Sequence, residues 1–348
     1  QTVHRHAMIM PGDRVLVAVS GGVDSVVLLR LLWAHRAELQ CELVVAHLDH
    51  QMRSDSDVDA QLVGLFADEL ELECEIESAD VPAHIESTKR SPEEAARHVR
   101  YGFLTRAAHK RDCSVMALGH HVNDRVETFF LNLLRGAGLE GLAGMPPVRR
   151  DHGLHIVRPL IECTRDEIEA AAREQNWPYR EDPTNSETRY TRNRIRHELV
   201  PLLLEFNPNL LETISRTSTH IGKISELVSH YTKSVLSDVL VHQRDEEVAL
   251  DRQALCAMDT HLAESVLREA IRALKGDLTG IEAVHTERAI DEITKQSSGN
   301  EVPLVKGLKL LVDAKRVLIV TSSEAPSEHP YCFSLDAKRA DRQTFSQI

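Results

Sequence analysis

The residues with the most chemical content lie in one run, Ser20-Gly21-Gly22-Val23-Asp24-Ser25, directly after an apolar, β-branched stretch at 15–19. Gly21 and Gly22 have no Cβ, so the chain can turn tightly there and bring its backbone close to a ligand. Residues 26–33 have helix length and an apolar face. The N–H groups that open such a helix lack intrahelical partners and sit at its positive end, which makes a phosphate seat. Ser20 and Ser25 add hydroxyl donors. Asp24 would repel phosphate, so a carboxylate at that position makes sense with a metal ion or a cationic nucleophile beside it. A Gly-Gly pair alone would mean only a compact strand-to-helix turn. The whole run after a buried strand points to phosphate binding, although neither a Walker pattern nor G-x-G-x-x-G is present and the loop has no lysine.

A second run, Gly119-His120-His121-Val122-Asn123-Asp124-Arg125-Val126-Glu127-Thr128, follows another apolar stretch. With a helix starting near Asn123, Asp124 and Glu127 fall at i and i+3 and Thr128 at i+4, on one face. Two carboxylates facing a polyphosphate suit Mg²⁺, which binds through a few carboxylates, waters and phosphate oxygens. Taken singly, either acid is an ordinary first-turn residue favoured by the helix dipole. His47, His50 and Arg53 end the run at 41–47 and are candidates for contacts to adenine, ribose or substrate. A structural histidine is an equally ordinary reading of either one. Arg97, Arg100 and Tyr101 share a helix face that could neutralise polyphosphate, and without the other motifs that face would simply be solvated. Arg189, Arg192, Arg194 and Arg196 fall within eight residues of an otherwise acidic chain, with Tyr190 and Asn193 among them. That density suits RNA backbone contacts, with Tyr190 available to stack.

These groups need a scaffold that brings distant runs together. Strand-like stretches at 15–19, 41–47, 72–78, 114–118 and 155–161 alternate with helical ones, which predicts an α/β fold with a doubly wound, mostly parallel sheet. Polar residues at the carboxyl ends of such strands face the ligand crevice. Ser91-Pro92-Glu93-Glu94 and Thr164-Arg165-Asp166-Glu167 are capping boxes that start helices. Residues 139–150 are expected to be a Gly/Pro-rich connection. Pro208 marks a boundary, predicting a catalytic domain over 1–207, a connecting helix over 208–240 and a small α+β domain over 241–325. In that last domain a strand is expected at 246–250, helices at 259–275 and 285–293, and a closing hairpin from 302–312 and 316–320. A polar tail at 326–348 follows.

The chain has 348 residues and a formal charge of −13, so its sum of charges does not point to a nucleic-acid partner, and the local arginine density carries that inference instead. Six cysteines are scattered without a C-x-x-C pair. That argues against a zinc ribbon, an iron–sulfur cluster and a disulfide framework, and for a reducing cytoplasm. No apolar run reaches membrane-spanning length and no signal peptide precedes the first strand, so no membrane partner is expected.

The loop at 20–25 resembles the pyrophosphatase loop of N-type ATP pyrophosphatases (PP-loop proteins), which holds the β- and γ-phosphates of ATP while a substrate oxygen attacks the α-phosphorus. Several further motifs follow in order. They are S-x-E-E-A-A-R-x-x-R-Y at 91–101, G-H-H-x-N-D-x-x-E-T at 119–128 and L-L-R-G-x-G-x-x-G-L at 133–142, then D-P-T-N at 182–185 and R-N-x-I-R-H-x-L-x-P at 192–201. Together they resemble the tRNA(Ile)-lysidine synthetase family over residues 14 to about 201, and more weakly over 240–320. The last three motifs set that family apart from other users of the loop.

The resemblance implies a ligase that adenylates the C2 carbonyl oxygen of the wobble cytidine in CAU-anticodon tRNA(Ile) and then attaches free L-lysine, releasing AMP and pyrophosphate. It implies ATP and Mg²⁺ as cofactors. ATP would be bound by Ser20, Gly21, Gly22, Val23, Asp24, Ser25, His47, Gly119 and His120, and the metal by Asp24 and Asp124. Catalysis would fall to Asp24, Asp124 and Glu127, with Glu127 or Asp24 taking the lysine proton. Glu127, Arg97, Arg100 and Arg135 would contact lysine or substrate, and Arg189, Arg192, Asn193 and Arg196 would anchor the RNA or the adenylate. The oligomeric state stays open, with a homodimer among the options. Two positions depart from the family pattern: Asn123, where many members have Asp, and Arg125, where they have Gln. The longest members also carry a further C-terminal domain. Two rivals stand beside this reading. One is tRNA 2-thiolation, which needs a catalytic cysteine for which Cys113 is the nearby candidate, and the other is a nucleotide-binding RNA module without activity.

Overall fold

The computed structural model describes residues 1–52, 55–88, 92–151, 153–180, 191–278, 280–295, 299–305 and 307–321. The chain divides into two compact units, Gln1–Ile224 and Ser225–Ile348, and the division falls inside the long helix Leu210–Val239.

The first unit is built on a six-stranded sheet. Its strands are β1 (Arg14–Ala18), β2 (Glu42–Asp49), β3 (Glu73–Ser78), β4 (Val115–Ala117), β5 (Val148–Asp151) and β6 (Leu154–Val157), in the order β3-β2-β1-β4-β6-β5. All neighbours are parallel except the β5–β6 pair. The doubly wound reading therefore holds, with one antiparallel edge. β1 shows why its sequence is apolar throughout. Val15 and Val17 pack into the core under the helices Val23–Leu39 and Arg165–Glu174, while Leu16 joins Phe103, Leu104 and Met116 on the opposite face. A strand covered on both sides cannot alternate. The order of strands reverses at β1, so β1 and β4 lie side by side with their carboxyl ends open to the crevice.

Residues 139–150 are not a plain connection. They hold a short helix, Leu139–Ala143, and the edge strand β5. β5 carries Arg149, Arg150 and Asp151, and this polar sequence hid it, because an edge strand with an open face has no need of an apolar run. The box at Thr164 forms as read. The Thr164 hydroxyl accepts from the Glu167 N–H at 3.2 Å, and the Thr164 N–H donates to the Glu167 carboxylate at 2.7 Å.

The second unit has an antiparallel sheet in the order β7-β8-β11-β10-β9. Its strands are β7 (Leu240–Arg244), β8 (Glu247–Asp251), β9 (Asn300–Val305), β10 (Leu308–Val312) and β11 (Arg316–Thr321). Val248, Leu250, Leu310, Val312, Val317 and Ile319 form its core with the helices Thr260–Lys275 and Ala283–Thr294. The stretch 302–312 is thus two strands rather than one, turned about Gly307, whose φ of +79° favours glycine. β7 also escaped the sequence reading, being mostly exposed. Among the described residues no helix is long and apolar enough to cross a membrane.

Arg125 accounts for the packing of the first half of helix Leu210–Val239 within the first unit. It is 4% exposed and donates to Ser215 Oγ at 3.1 Å, Thr219 Oγ1 at 2.8 Å and Ser218 Oγ at 3.4 Å. Ser218 in turn donates to the Ala143 carbonyl at 2.7 Å. A long, charged donor thus reaches three hydroxyls on the neighbouring helix. Arg125→Ala is expected to cost about 2–4 kcal/mol, because it removes charged hydrogen bonds and strands their buried acceptors. Denaturant unfolding of the full chain measures it, and a change below about 0.5 kcal/mol would contradict this role.

Candidate active site

The loop lies between β1 and helix Val23–Leu39, with Gly22 as the N-cap in extended backbone and Gly21 at φ +90°. Its two serines hold it in shape. Ser25 Oγ donates to the Gly22 carbonyl at 2.9 Å and accepts from the Ser20 N–H at 3.0 Å, while the two hydroxyls lie 3.2 Å apart. From outside, the Arg180 N–H donates to the Gly21 carbonyl at 3.0 Å, and the Arg180 side chain pairs with Asp55 at 2.6 Å and Asp59 at 3.3 Å. Asp59 packs against Gly21. The sequence reading missed this brace because Asp55, Asp59 and Arg180 are far apart in the chain and belong to no loop motif.

Gly119 follows β4 and abuts the start of the loop helix. A Cβ there would come within 3.1 Å of the Asp24 carbonyl and 3.2 Å of the Ser25 nitrogen. Glycine is needed here for close approach, not for an unusual φ. This contact brings the second motif onto the first. His121 is the N-cap of helix Val122–Leu134, and its N–H donates to Asp124 at 3.1 Å. Its buried ring stands between two carboxylates, with Nε2 at 3.6 Å from Asp24 and 3.5 Å from Asp124. Arg165 lies 3.6 Å from Asp24 on the other side, and its N–H bonds to Asn123 Oδ1 at 3.0 Å. Asn123 therefore spends its side-chain oxygen on the next helix. His121 and Arg165 were not singled out from sequence. His121 stood in plain view in the G-H-H motif, whereas Arg165 looked like a residue of a capped surface helix.

Asp124 and Glu127 do share a face, and arginines hold both. Arg196 donates to Glu127 at 2.6 and 2.9 Å, and Arg192 donates to it at 3.0 Å. The same two guanidinium groups lie 3.4–3.5 Å from Asp124. The Glu127 side chain is 3% exposed, so this is a buried clasp between the helix and residues 191–199. A π-helical turn, Ile195–Leu199, follows Thr191–Arg194 and leads into Val200–Phe206 with Pro201 in its first turn. π-turns gather at functional sites, and this one carries Arg196 to the carboxylate that Arg192, in the turn before it, also reaches.

The acids at the centre are not equivalent. Burial is the largest influence on Asp24 and raises its pKa, and His121 and Arg165 pull the other way without cancelling it. Its Oδ1 is buried and receives no hydrogen bond. Burial would also raise Asp124, but His121 and Arg192 outweigh it and hold the pKa below the usual carboxylate value. Burial pushes His120 down to about 3 and so keeps it neutral. His47 is likewise lowered by burial, with Nδ1 at 2.8 Å from the Val19 carbonyl and Nε2 unpaired.

The other expected residues divide. Arg97 and Arg100 come together around Tyr101, at 4.6 and 5.9 Å from its ring centroid. Arg135 is the exposed C-cap of helix Val122–Leu134, eleven residues after Asp124 and so about 16 Å further along the axis. It is not part of this cluster. Asn193 is described in the arginine segment Thr191–Arg194. Arg189, Tyr190, Arg53 and the D-P-T-N run at 182–185 lie outside the described residues. Cys113 is buried, with its thiol pushed up to about 11 by burial, and it precedes β4, at the opposite sheet edge from the loop.

Residues 2–203 match the PP-loop domain family. The tRNA(Ile)-lysidine synthase of Geobacillus kaustophilus is 33% identical over 96% of this chain and 72% of its own length. The chain belongs to the tRNA(Ile)-lysidine synthase family. The enzyme of the same name from Geobacter sulfurreducens is 35% identical over 95% of this chain and 71% of its own. A U34-tRNA thiolase from Methanococcus maripaludis shares the fold, with a TM-score of 0.55 at 18% identity over 63% of this chain and 76% of that one. As a synthase of this family the chain is an ATP-using ligase of tRNA modification.

Two measurements test the synthase's site. Gly119→Ala forces the loop helix away from β4, so it is expected to destabilise the protein by about 1–3 kcal/mol and to weaken ATP binding, as read by denaturation and calorimetry. Wild-type behaviour in both would contradict the close approach. Asp24→Asn is expected to raise the melting temperature at pH 7. A carboxylate whose folded pKa is raised favours folding only while protonated and costs stability as pH rises through that pKa. The gain should vanish below the ordinary carboxylate pKa. A lower melting temperature for the variant at pH 7 would contradict it.

Proposed function

We propose that this chain activates the C2 carbonyl oxygen of the wobble cytidine in CAU-anticodon tRNA(Ile) with ATP, and then joins free L-lysine to that carbon. The observation that supports it best is the convergence of the glycine loop, the bare Asp24 oxygen and the arginine-held Asp124–Glu127 pair at one switch point of the sheet. In the first step, cytidine O2 attacks the α-phosphorus, an O–P bond forms, and the bond to the β-phosphate oxygen breaks to release pyrophosphate. In the second, the lysine ε-nitrogen attacks C2, the C2–O bond breaks, AMP leaves with the oxygen, and the nitrogen loses a proton.

Each residue set has a separable task. The loop N–H groups and the Ser20 hydroxyl cradle the β- and γ-phosphates, while the Ser25 hydroxyl, bonded to the Gly22 carbonyl, holds the loop in shape. Asp24 and Asp124 fit Mg²⁺, since one has an oxygen that receives no hydrogen bond and the other stays ionised. Such an ion would take its remaining ligands from phosphate and water. Bound there, the ion would neutralise charge on the departing pyrophosphate.

Glu127 gathers Arg192 and Arg196 at the α-phosphoryl position. Its oxygens are already taken by their N–H groups, which makes it a poor acceptor for the lysine proton. Asp24 is the better one. Once pyrophosphate has left, its free oxygen can meet the lysine ammonium, and its raised pKa suits a proton acceptor. ATP, free lysine and tRNA meet in the cytoplasm, where the reaction is expected to run.

Purified protein incubated with ATP, Mg²⁺, labelled lysine and CAU-anticodon tRNA should yield lysine-bearing RNA with equal AMP and pyrophosphate. Asp24→Asn should reduce lysine attachment about 10²–10⁴-fold. RNA without lysine in the wild-type reaction, with ATP still bound, would overturn the proposal.

A further inference from the structure

We infer that Arg97, Arg100, Arg149 and Arg158 form a cage around Tyr101 that binds a backbone phosphate of the RNA beside the base being modified. This rests on the proposed reaction and extends it to a binding site for the anticodon loop. The guanidinium carbons of Arg97, Arg149 and Arg100 lie 4.6, 5.7 and 5.9 Å from the Tyr101 ring centroid. Arg97 also donates to the Tyr101 hydroxyl at 3.3 Å. Arg158, 2% exposed, completes the group and is held by the Pro146 carbonyl at 2.6 Å.

Cations this close repel one another, so their assembly needs compensation. Among the described residues, the four have one carboxylate within ion-pair distance, Asp151 on Arg149 at 2.6 Å. Burial lowers Arg158 to about 10, and the neighbouring Arg149 and Arg97 add to that shift. The Nε atoms of Arg100, Arg149 and Arg158 are buried and have no acceptor. Donors fixed in place without acceptors, in a cluster with surplus positive charge, are what an anion needs. Arg97 is exposed, Arg100 and Arg149 are half-buried and Arg158 is buried, which gives the site a mouth and a floor.

Two phosphate sources are available, the triphosphate and the RNA. The charges that act most on Asp24 in the loop are His121, Arg165, Asp124 and Arg196, none of them from the cage. Arg100 and Arg158 act instead on His120, and Arg100 faces Arg192 and Asp124. The cage therefore acts on His120, Arg192 and Asp124 rather than on Asp24, and we assign its anion to the RNA rather than to the triphosphate.

The test uses the full chain, a CAU-anticodon stem–loop RNA, and a non-hydrolysable ATP analogue with Mg²⁺. Arg149→Gln and the double variant Arg97→Gln/Arg149→Gln alter residues that are not fully buried, and so leave the core intact. The double variant should bind the RNA at least about tenfold more weakly at low salt. Its log–log salt slope should fall by about 0.7 for each phosphate that is no longer neutralised. Affinity for the ATP analogue should stay within about twofold of wild type. Unchanged RNA affinity and slope would overturn the cage, and a weakening confined to the ATP analogue or to pyrophosphate would assign it to the nucleotide and overturn the RNA reading. Wild-type lysine attachment is measured alongside. If it occurs while the double variant binds RNA normally, the cage alone is wrong, whereas its absence removes the proposed function itself.

Discussion

The site depends on an unequal distribution of buried charge. Three carboxylates, Asp24, Asp124 and Glu127, come together at the carboxyl edge of a parallel sheet, but the cations beside them are shared unevenly. Arg192 and Arg196 claim Glu127 and reach Asp124, while Asp24 keeps one oxygen without a donor. Carboxylates packed this closely could not all stay ionised without such partners. The arrangement therefore holds Asp124 ionised, occupies both oxygens of Glu127 and leaves Asp24 reactive. A folded state that tolerates this cost is typical of a site where function limits stability.

The remaining architecture brings these groups within reach of one another. The reversal of strand order beside β1 opens the crevice, and the missing side chain of Gly119 lets β4 approach the loop helix. Without that approach His121 could not stand between Asp24 and Asp124. Arg125 holds the other face of the same helix against hydroxyls on Leu210–Val239, so the helix bearing Asp124 and Glu127 is gripped on both sides. A rigid frame around a small number of reactive atoms is what transition-state positioning requires.

Much of this was legible in the sequence. A strand buried on both faces, followed by glycines and a helix, announces itself through local composition, and so do the capping box at Thr164 and the i, i+3 spacing of Asp124 and Glu127, while Ser91 of the other expected box lies outside the described residues. Edge strands β5 and β7 were not legible, because strands with an open face need no apolar pattern. Arg165, Arg158 and the brace of Asp55 and Asp59 on Arg180 were missed for another reason. Each is an ordinary surface-type residue in its own segment and gains its role only when the sheet brings distant segments together. Arg135 shows a different limit of reading from motifs. It lies in a motif, but helical geometry carries it away from the acids.

The chemistry turns on Asp24 being the one central acid with an oxygen left to offer. Carbon-13 NMR of aspartate carboxyls, assigned with Asp24→Asn, can follow its titration with and without Mg²⁺ and a non-hydrolysable ATP analogue. The expected result is a pKa above the ordinary carboxylate value in the free protein and a marked fall when both are added. An Asp24 that titrates normally and ignores Mg²⁺ and nucleotide would contradict that role.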